Sequence, residues 1–505
     1  MLETTNGTEH RLKRKREDGI ASASRNKRQA MEGDSAKTDD FHTRVSHLEE
    51  EILASRKNYN NISTLLGYVN TGGDGQEDHV AAVALCRVFC ILMAAGSLVR
   101  GRDLSESEAT IVQWLKERYN EYKSVLLQLL EKVAVVRQRT ALTLLMQLVK
   151  MEKIYLSSSG DAIWRHGVFA KLVQALLAGT AADETREKFM EDYVAKYHDV
   201  RYYTFEQLTE ISLSDTSEPN MQRTISLLTA IEPIPAQQDE LRDPKKFFVA
   251  LPSRAKHDLF SLTAHKTQAQ KAWMTVLRNN LSKSQRKTVL GLMSHRIAPW
   301  FLKVELLMDF LTDSYSIGGS SSLMALSGLF YLIQHKNLDY PQFYHKLYSL
   351  LDSNILHSKH RSRFFRLLDT FLVSTHLPAA LVASFIKRLS RLTLNAPPSA
   401  IVVIVPWIYN LLKNHPSCTF MIHRNISTYK DEEGWQDPFL MEEPDPMETD
   451  ALESSLWEIQ TLQTHYHPNV ATIAKIISEQ FTKQAYNLED FLDHSYGTVS
   501  DSHIN

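Results

Sequence analysis

The chain has 505 residues, of which 43% are apolar and 23% are charged, and its formal net charge is −2. This composition is ordinary for a globular protein with a sizeable core. The net charge is too small to indicate a nucleic-acid or membrane partner by itself. The 18 glycines and 16 prolines are few for this length. Because both residues disfavour helix interiors, their scarcity favours an all-α fold.

Residues 1–40 are predicted to form a disordered basic tail, because they contain almost no apolar residues. A cluster of four basic residues is followed by a shorter one, and together they predict a nuclear localisation signal. A merely solvated run of charge is the alternative interpretation. The residues of the predicted signal are Lys13, Arg14, Lys15, Arg16, Lys27 and Arg28.

Residues 41–235 are predicted to form an N-terminal helical region. The apolar run Val80–Val99 contains Arg87. A charge near the middle of a bilayer costs about 3 kcal/mol, so this run predicts a buried helix and not a membrane span. Ser105 and Glu108 have the spacing of a capping box. The apolar period that follows predicts two helices, over 105–133 and 135–151, paired as a hairpin.

A looser stretch over 212–245, rich in proline and acidic residues, predicts a domain boundary. Residues 236–299 are then predicted to form a basic helical connecting region. Ten lysines or arginines lie between residues 251 and 305, against two acidic residues. Such a surface suits RNA phosphates. The alternatives are a solvated helix face and a docking surface for an acidic segment of a partner.

Residues 300–425 are predicted to form the most regular part of the chain. Helix starts are expected near residues 320, 341, 361, 378 and 398, so consecutive starts lie about twenty residues apart, and a hairpin of two helices takes about forty. This is the length of a HEAT or armadillo repeat. The predicted fold is therefore an all-α, HEAT/armadillo-like helical-repeat solenoid with a disordered N-terminal tail.

Four residues of the stretch "LNAPPSAIVVIVPWIYNLLK" are predicted to shape this core. Pro397 disfavours helical geometry at the residue before it, and Pro398 suits the first turn of a helix. Pro406 lies inside the same helix and is expected to bend it. Trp407 belongs to an apolar run that covers nearly every face of this helix, which indicates burial on more than one side.

Residues 426–456 are predicted to form an exposed acidic loop, because residues 431–460 hold eleven acidic residues and no lysine or arginine. Helical periodicity returns afterwards, so residues 457–505 are predicted to form C-terminal helices and a tail.

No motif for phosphate binding, nucleophilic catalysis or a metal site occurs in the sequence, so no cofactor and no enzymatic activity are predicted. A basic cluster near a predicted helix start is the candidate docking surface for a partner protein or RNA. A solvated helix face is the alternative. The residues of this cluster are Lys359, Arg361, Arg363 and Arg366.

Several segments resemble the CCAAT-binding-factor family of ribosome-biogenesis proteins. They are "SSLMALSGLFYLIQHKNLDYPQFYHKLYSLLD", "RLSRLTLNAPPSAIVVIVPWIYNLLKNHPSCTFMIHR" and "DPFLMEEPDPMETDALESSLWEIQTLQTHYHPNV". The resemblance implies a helical solenoid in the nucleus and nucleolus, without catalytic residues. It implies a role in pre-rRNA processing and in assembly and export of the small ribosomal subunit, within the small-subunit processome.

The same resemblance implies a stable complex with nucleolar protein 14, contact with other small-subunit processome proteins and possible contact with pre-ribosomal RNA, and no membrane partner. The predicted function is therefore that of a non-enzymatic nucleolar scaffold. Two other functions stay open on the sequence alone. One is a DNA-binding transcription regulator, which the family name suggests, and the other is an importin-like nuclear transport adaptor, which has the same kind of fold.

Overall fold

The computed structural model describes residues 40–70, 77–99, 105–131, 134–156, 161–232, 241–252, 254, 256–336, 338, 340, 342–357, 361–423 and 436–492. These residues form helices, turns and irregular segments and contain no β-strand. They fall into two compact units. The first unit runs to Gln285 and includes Pro299–Leu302, and the second comprises Arg286–Ala298 and the chain from Lys303 onward. The all-α prediction is confirmed.

The first unit is a succession of helices whose neighbours in the chain pack against each other. Its helices are α1 (40–54), α2 (Asn61–Asn70), α3 (Glu77–Ala94), α4 (Glu106–Leu130), α5 (Val135–Met151), α6 (Ala162–His166), α7 (Val168–Leu177), α8 (Asp183–Phe189), α9 (His198–Ser214), α10 (Glu218–Ala230) and α11 (Leu262–Leu277). Helices α4 and α5 pack against each other, as predicted for a hairpin.

The apolar run in α3 is a buried helix, as predicted. Phe89 is fully buried and its ring lies 5.4 Å from that of Tyr122 on α4. Arg87 points outward and forms a two-pronged ion pair with Glu49 of α1, with nitrogen–oxygen distances of 2.8 and 2.7 Å. Across the part of the chain that the structure describes, no helix is both long enough and apolar enough to cross a bilayer.

The start of α4 carries the predicted capping box. The Ser105 hydroxyl accepts a hydrogen bond from the Glu108 amide, and the Glu108 carboxylate accepts one from the Ser105 amide at 3.2 Å. Two amides that would otherwise lack a partner at the helix start are satisfied in this way.

We expect Ser105→Ala to destabilise the first unit by about 1 kcal/mol, because the amide of Glu108 loses its acceptor. Ser105→Asp, which keeps an acceptor at this position, should retain most of the stability. Chemical denaturation followed by circular dichroism measures both variants. Equal losses in the alanine and aspartate variants would contradict a capping role.

The middle of the first unit is rich in buried aromatic rings and contains a buried histidine. Trp164 of α6 stacks on Tyr203 of α9 with ring centroids 4.9 Å apart. His265 of α11 is fully buried, and its Nε2 donates to the Leu259 carbonyl at 3.0 Å. Burial lowers the pKa of His265 to about 4, and the nearby charges of His198 and Arg201 act in the same direction.

We expect the first unit to lose stability as the pH falls from about 6.5 toward 4. The unfolded chain takes up a proton at His265 below its ordinary pKa of about 6.5, whereas the folded chain does so only near 4, so acid favours unfolding by up to about 3 kcal/mol. Denaturation curves across this pH range measure the effect. His265→Gln keeps the N–H donor and should flatten the profile, and an unchanged slope in this variant would contradict the assignment.

The segment around 212–245 does not separate the two units, contrary to the predicted boundary. Ser212 of α9 and Thr224 of α10 are both buried, and their hydroxyl groups lie 3.3 Å apart. Asp215 follows the end of α9, and Glu218 and Pro219 form the first turn of α10. The chain passes from the first unit to the second within α12 (Lys283–Leu292).

The second unit contains the regularly spaced helices that were predicted from the sequence. Its helices after α12 are α13 (Met308–Ser316), α14 (Gly319–Lys336), α15 (Phe343–Ser349), α16 (Ser353–His357), α17 (Arg361–Leu372), α18 (Ala379–Thr393), α19 (Pro398–Asn414), α20 (Phe420–His423), α21 (Trp457–Leu462), α22 (Pro468–Ala474) and α23 (Glu489–Leu492). Pro341, one of the expected helix starts, lies outside the described residues.

Helix α19 is the centre of the second unit. Every residue from Ser399 to Leu412 is buried, which matches the all-round apolar pattern. Pro397 precedes the helix in an extended conformation, Pro398 is its first residue and Pro406 lies inside it. Helices α18 and α22 pack against it. The bend expected at Pro406 stays a prediction.

The prediction of an exposed acidic loop is wrong for residues 436–456, which pack on α18. Phe439, Thr449 and Ser454 are buried. The Ser384 hydroxyl of α18 donates to the Pro446 carbonyl at 2.6 Å, and the Arg388 guanidinium donates to the Met441 carbonyl at 3.0 Å. We call residues 436–456 the acidic strap.

Candidate interaction surface

The predicted docking cluster lies at the start of α17, and much of it is engaged within the chain. Lys359 lies outside the described residues. Arg361 is half-buried, and its Nη1 donates to the Leu356 carbonyl at 3.3 Å and to the Ser399 hydroxyl at 3.2 Å. It therefore ties the start of α17 to the start of α19.

Arg366 holds the end of the chain's described part against α17. Its Nε and Nη2 bind the two carboxylate oxygens of Glu489 at 2.7 and 2.6 Å. The pKa of Glu489 is lowered by this hydrogen-bonded guanidinium. One turn earlier on α17, the Ser362 hydroxyl donates to the Leu492 carbonyl at 3.0 Å. Both contacts span more than 120 residues of sequence.

Residues 481–492 also pack along α19, through backbone groups of the segment and side chains of the helix. The Asn410 side-chain amide donates to the Tyr486 carbonyl and accepts from the Tyr486 amide, both at 2.8 Å. Tyr409 donates to the Lys483 carbonyl at 2.9 Å, and its ring lies 4.5 Å from that of Phe481. The C-terminal segment is thus part of the folded unit, fastened to two of its helices.

Arg363 differs from Arg361 and Arg366 in its surroundings. It is exposed, and within the described ranges no side chain or backbone group pairs with it. The two residues after it, Phe364 and Phe365, are buried in the core of the unit. Both rings therefore pack in the core and are not accessible for stacking on nucleic-acid bases. What the surface of α17 presents to a partner is the guanidinium of Arg363, beside the half-exposed pair of Arg366 and Glu489.

A second charged cluster, which the sequence analysis missed, lies buried beneath the acidic strap. Lys387 of α18 is fully buried, and its ammonium group donates to Asp437 Oδ2 at 2.8 Å, to Glu458 Oε1 at 2.7 Å and to the Ser455 carbonyl at 2.6 Å. Arg391, one turn further, binds the same two carboxylates. Two cations thus face two anions, so the cluster carries no net charge.

Hydrogen bonds fix the strap carboxylate of this cluster. Trp457 Nε1 donates to Asp437 Oδ2 at 2.8 Å, and the Ser454 hydroxyl donates to Asp437 Oδ1. Burial acts to raise the pKa of Asp437, but its bonds from Lys387, Ser454 and Trp457 outweigh burial, and the pKa is held below its ordinary value. Asp437 is therefore a carboxylate at neutral pH, which keeps the strap attached to α18.

The other predicted site residues are either outside the described residues or buried in the core. The residues of the predicted nuclear localisation signal, 13–16 and 27–28, lie outside the described residues. Trp407 is fully buried, so it acts in the core of α19 and not at a surface. Within the described ranges, no group of three or more histidine, cysteine or acidic side chains is arranged to hold a metal ion.

These observations define a helical-repeat protein whose second unit has a closed core. Two family models match the chain: "Nucleolar complex protein 4-like, TPR repeats" over residues 34–218, and "CBF/Mak21 family" over residues 322–474. The helical-repeat class predicted from the sequence is confirmed by the first of them.

Curated relatives cover nearly the whole chain. An uncharacterized protein of Schizosaccharomyces pombe is 41% identical over 476 residues, which are 91% of this chain and 94% of the relative. Nucleolar complex protein 4 of Saccharomyces cerevisiae is 36% identical over 459 residues, covering 83% of this chain and 82% of the relative. The Homo sapiens homologue is 34% identical over 468 residues, covering 88% of each chain. The chain belongs to the nucleolar complex protein 4 family, and its place is in the nucleolus and in ribosome biogenesis.

Proposed function

We propose that this protein is a non-enzymatic scaffold for the small ribosomal subunit. In this proposal it acts in pre-rRNA processing and in small-subunit assembly and export, as a component of the small-subunit processome. Its partners are nucleolar protein 14 and other processome proteins, with pre-ribosomal RNA as a further contact. Family membership supports the nucleolar setting and a role in ribosome biogenesis. The assignment to the small subunit rests on the sequence resemblance described above.

The scaffold part of the proposal is supported by the way the second unit pairs its charged side chains within the chain. The basic residues of α18 bind other groups of the chain. Lys387 and Arg391 form ion pairs with carboxylates, and Arg388 donates hydrogen bonds to backbone carbonyls. A fold that satisfies its charges internally and fastens its C-terminal segment to α17 and α19 offers a stable, pre-formed surface to other molecules. Arg363 is our candidate for a contact residue on that surface.

We expect Arg363→Glu to weaken capture of pre-ribosomal particles by about fivefold, because an exposed charge at an interface steers association and can be repelled after reversal. Lys336→Glu, the same charge change at an exposed residue of the same unit, serves as the control. Sucrose-gradient sedimentation of the tagged variants measures how much of each sediments with pre-ribosomal particles and how much stays free. Equal capture by both variants would remove Arg363 from the interface.

The two alternative functions predict different binding behaviour. A DNA-binding transcription regulator should show sequence preference in gel shifts that persists as salt is raised. An importin-like adaptor should bind the transport GTPase in its GTP form. A scaffold should do neither, so these two assays separate the proposal from its alternatives.

A further inference from the structure

A groove of about 390 Å³ lies within the first unit, between α8 and α10. One wall is α8 together with the π-helical turn Met190–Val194 that continues it, and the other wall is the last part of α10. Met190 and Leu227 line the groove and are buried, so they form an apolar floor. Ser226 and Ala230 on the α10 wall are exposed and short. They leave room in the groove for a long side chain of another molecule.

Two arginines hold the walls of the groove in place. Arg186 of α8 donates to the Leu176 carbonyl at 3.1 Å, and Arg223 of α10 donates to the Leu177 carbonyl at 2.8 Å. Both acceptors belong to the last turn of α7, where carbonyls lack partners within their own helix. Because α8 and α10 are fastened to the same helix end, the groove is formed before any ligand binds, which lowers the entropy lost on binding.

The unpaired charge on the lining is negative. Glu187 and Glu191 are exposed and line the same wall, four residues apart. Within the part of the chain that the structure describes, neither carboxylate has a hydrogen-bond or ion-pair partner. Side chains at this spacing are neighbours on a helix surface, so one guanidinium or ammonium group of a ligand can contact both carboxylates.

The cations near these carboxylates are bound to other groups. Arg186 lines the groove, and its Nη2 donates to Asp183 Oδ1 at 2.6 Å. Lys196 lies close enough to Glu191 to interact with it electrostatically, but its ammonium group donates to Asp192 Oδ1 at 2.8 Å. The charge that the groove offers to a ligand is therefore that of the two unpaired carboxylates.

We propose that this groove binds a segment of a partner protein through an inserted arginine or lysine side chain. The aliphatic stem of that side chain lies on Met190 and Leu227, and its cationic head lies between Glu187 and Glu191. The carboxylates favour a basic protein segment over RNA, whose phosphates they repel. This is a second interaction site, on the first unit, and it does not depend on the assignment to the small subunit.

The test uses the full chain and random twelve-residue peptides displayed on phage. Peptides are selected that bind the unmodified chain and do not bind Ser226→Trp, in which an indole fills the groove. Gln222→Trp, at an exposed residue of α10 outside the lining, is the control and should bind the selected peptides as the unmodified chain does. The selected peptides should be rich in arginine or lysine beside apolar residues. The best of them, made synthetically with a fluorophore, is the probe in anisotropy titrations.

Charge reversal on the groove wall tests the two carboxylates. Glu187→Lys and Glu191→Lys should each weaken binding of the probe at least about tenfold, because each places a cation beside the cationic head of the ligand. Glu184→Lys, at an exposed residue of α8 that does not line the groove, should leave binding unchanged. A probe whose arginines and lysines are replaced by glutamate should bind Glu191→Lys more tightly than the unmodified chain, because the charges are then complementary again.

Three results would overturn the proposal: no peptide distinguishes the unmodified chain from Ser226→Trp, the selected peptides lack arginine and lysine, or Glu184→Lys weakens binding as much as the two groove variants. A full chain in which serine replaces the basic residues of the predicted nuclear localisation signal should bind the probe with unchanged affinity. Tighter binding by that variant would show that this chain's own basic residues occupy the groove, and it would overturn the assignment to a partner.

Discussion

Lys387→Met should lower the free energy of unfolding of the second unit by about 3–5 kcal/mol, because it removes one member of a buried charge cluster and leaves its partners behind. The ammonium group of Lys387 uses all three of its protons, on Asp437, Glu458 and Ser455. After the substitution, Arg391 alone faces two carboxylates, of which Glu458 is fully buried. The loss therefore exceeds that of an ordinary surface ion pair.

The effect should be concentrated in the acidic strap. Hydrogen exchange of residues 436–456 should accelerate more than that of α13 and α14, because Lys387 and Arg391 attach the strap to α18. Adding Glu458→Gln to Lys387→Met should restore part of the stability, since it removes the uncompensated buried charge. Lys336→Met, at an exposed lysine, is the control and should cost less than about 0.5 kcal/mol. Equal effects of Lys387→Met and the control would show that the cluster does not hold the strap.

Trp407→Ala should destabilise the second unit by about 3–5 kcal/mol, because it opens a cavity in α19, which is buried from Ser399 to Leu412. Trp407 is fully buried, its ring lies 6.3 Å from that of Phe365, and every residue of α19 around it is also buried. Little of the structure can move into the space that the indole leaves. Hydrogen exchange in α17, α18 and α19 measures the loss for this unit separately from the first.

Trp407→Phe is the matched control for packing. It keeps an aromatic ring and removes an indole N–H that has no hydrogen-bond partner among the described residues. We expect a loss of less than about 1.5 kcal/mol, since a smaller ring leaves a smaller cavity and no donor is orphaned. A phenylalanine variant as unstable as the alanine variant would contradict the assignment of Trp407 to core packing.

The helices could be predicted because their signals are local. Ser105 and Glu108 are three residues apart and fix the start of α4, and Pro397 and Pro398 are adjacent and fix the start of α19. The all-round burial of α19 followed from a run of apolar residues with no polar face. In each case, the residues that decide the structure lie within a turn or two of helix.

The acidic strap could not be predicted because its partners are distant. Asp437 binds Arg391 across 46 residues, and Glu458 binds the same residue across 67. Composition alone predicted that the strap is an exposed loop. That prediction counted charges without pairing them, whereas the structure pairs Asp437 of the strap, together with Glu458 just beyond it, with Lys387 and Arg391 of α18.

The candidate docking cluster was misjudged in part for the same reason. Arg361 and Arg366 belong to the basic cluster predicted from the sequence. In the structure, Arg361 binds Ser399 and Arg366 binds Glu489. The sequence predicted a basic cluster near a helix start, but it could not show that residues 481–492 pack back on that surface. Only Arg363 is left as a candidate contact residue among the described members.

Purification of the tagged chain from nuclear extract, followed by mass spectrometry, tests the central claim most directly. A scaffold of small-subunit biogenesis should recover nucleolar protein 14 and other small-subunit processome proteins together with precursor RNA of the small subunit. Recovery of large-subunit precursors alone, or of nuclear transport receptors with their GTPase and no pre-ribosomal particle, would contradict the account.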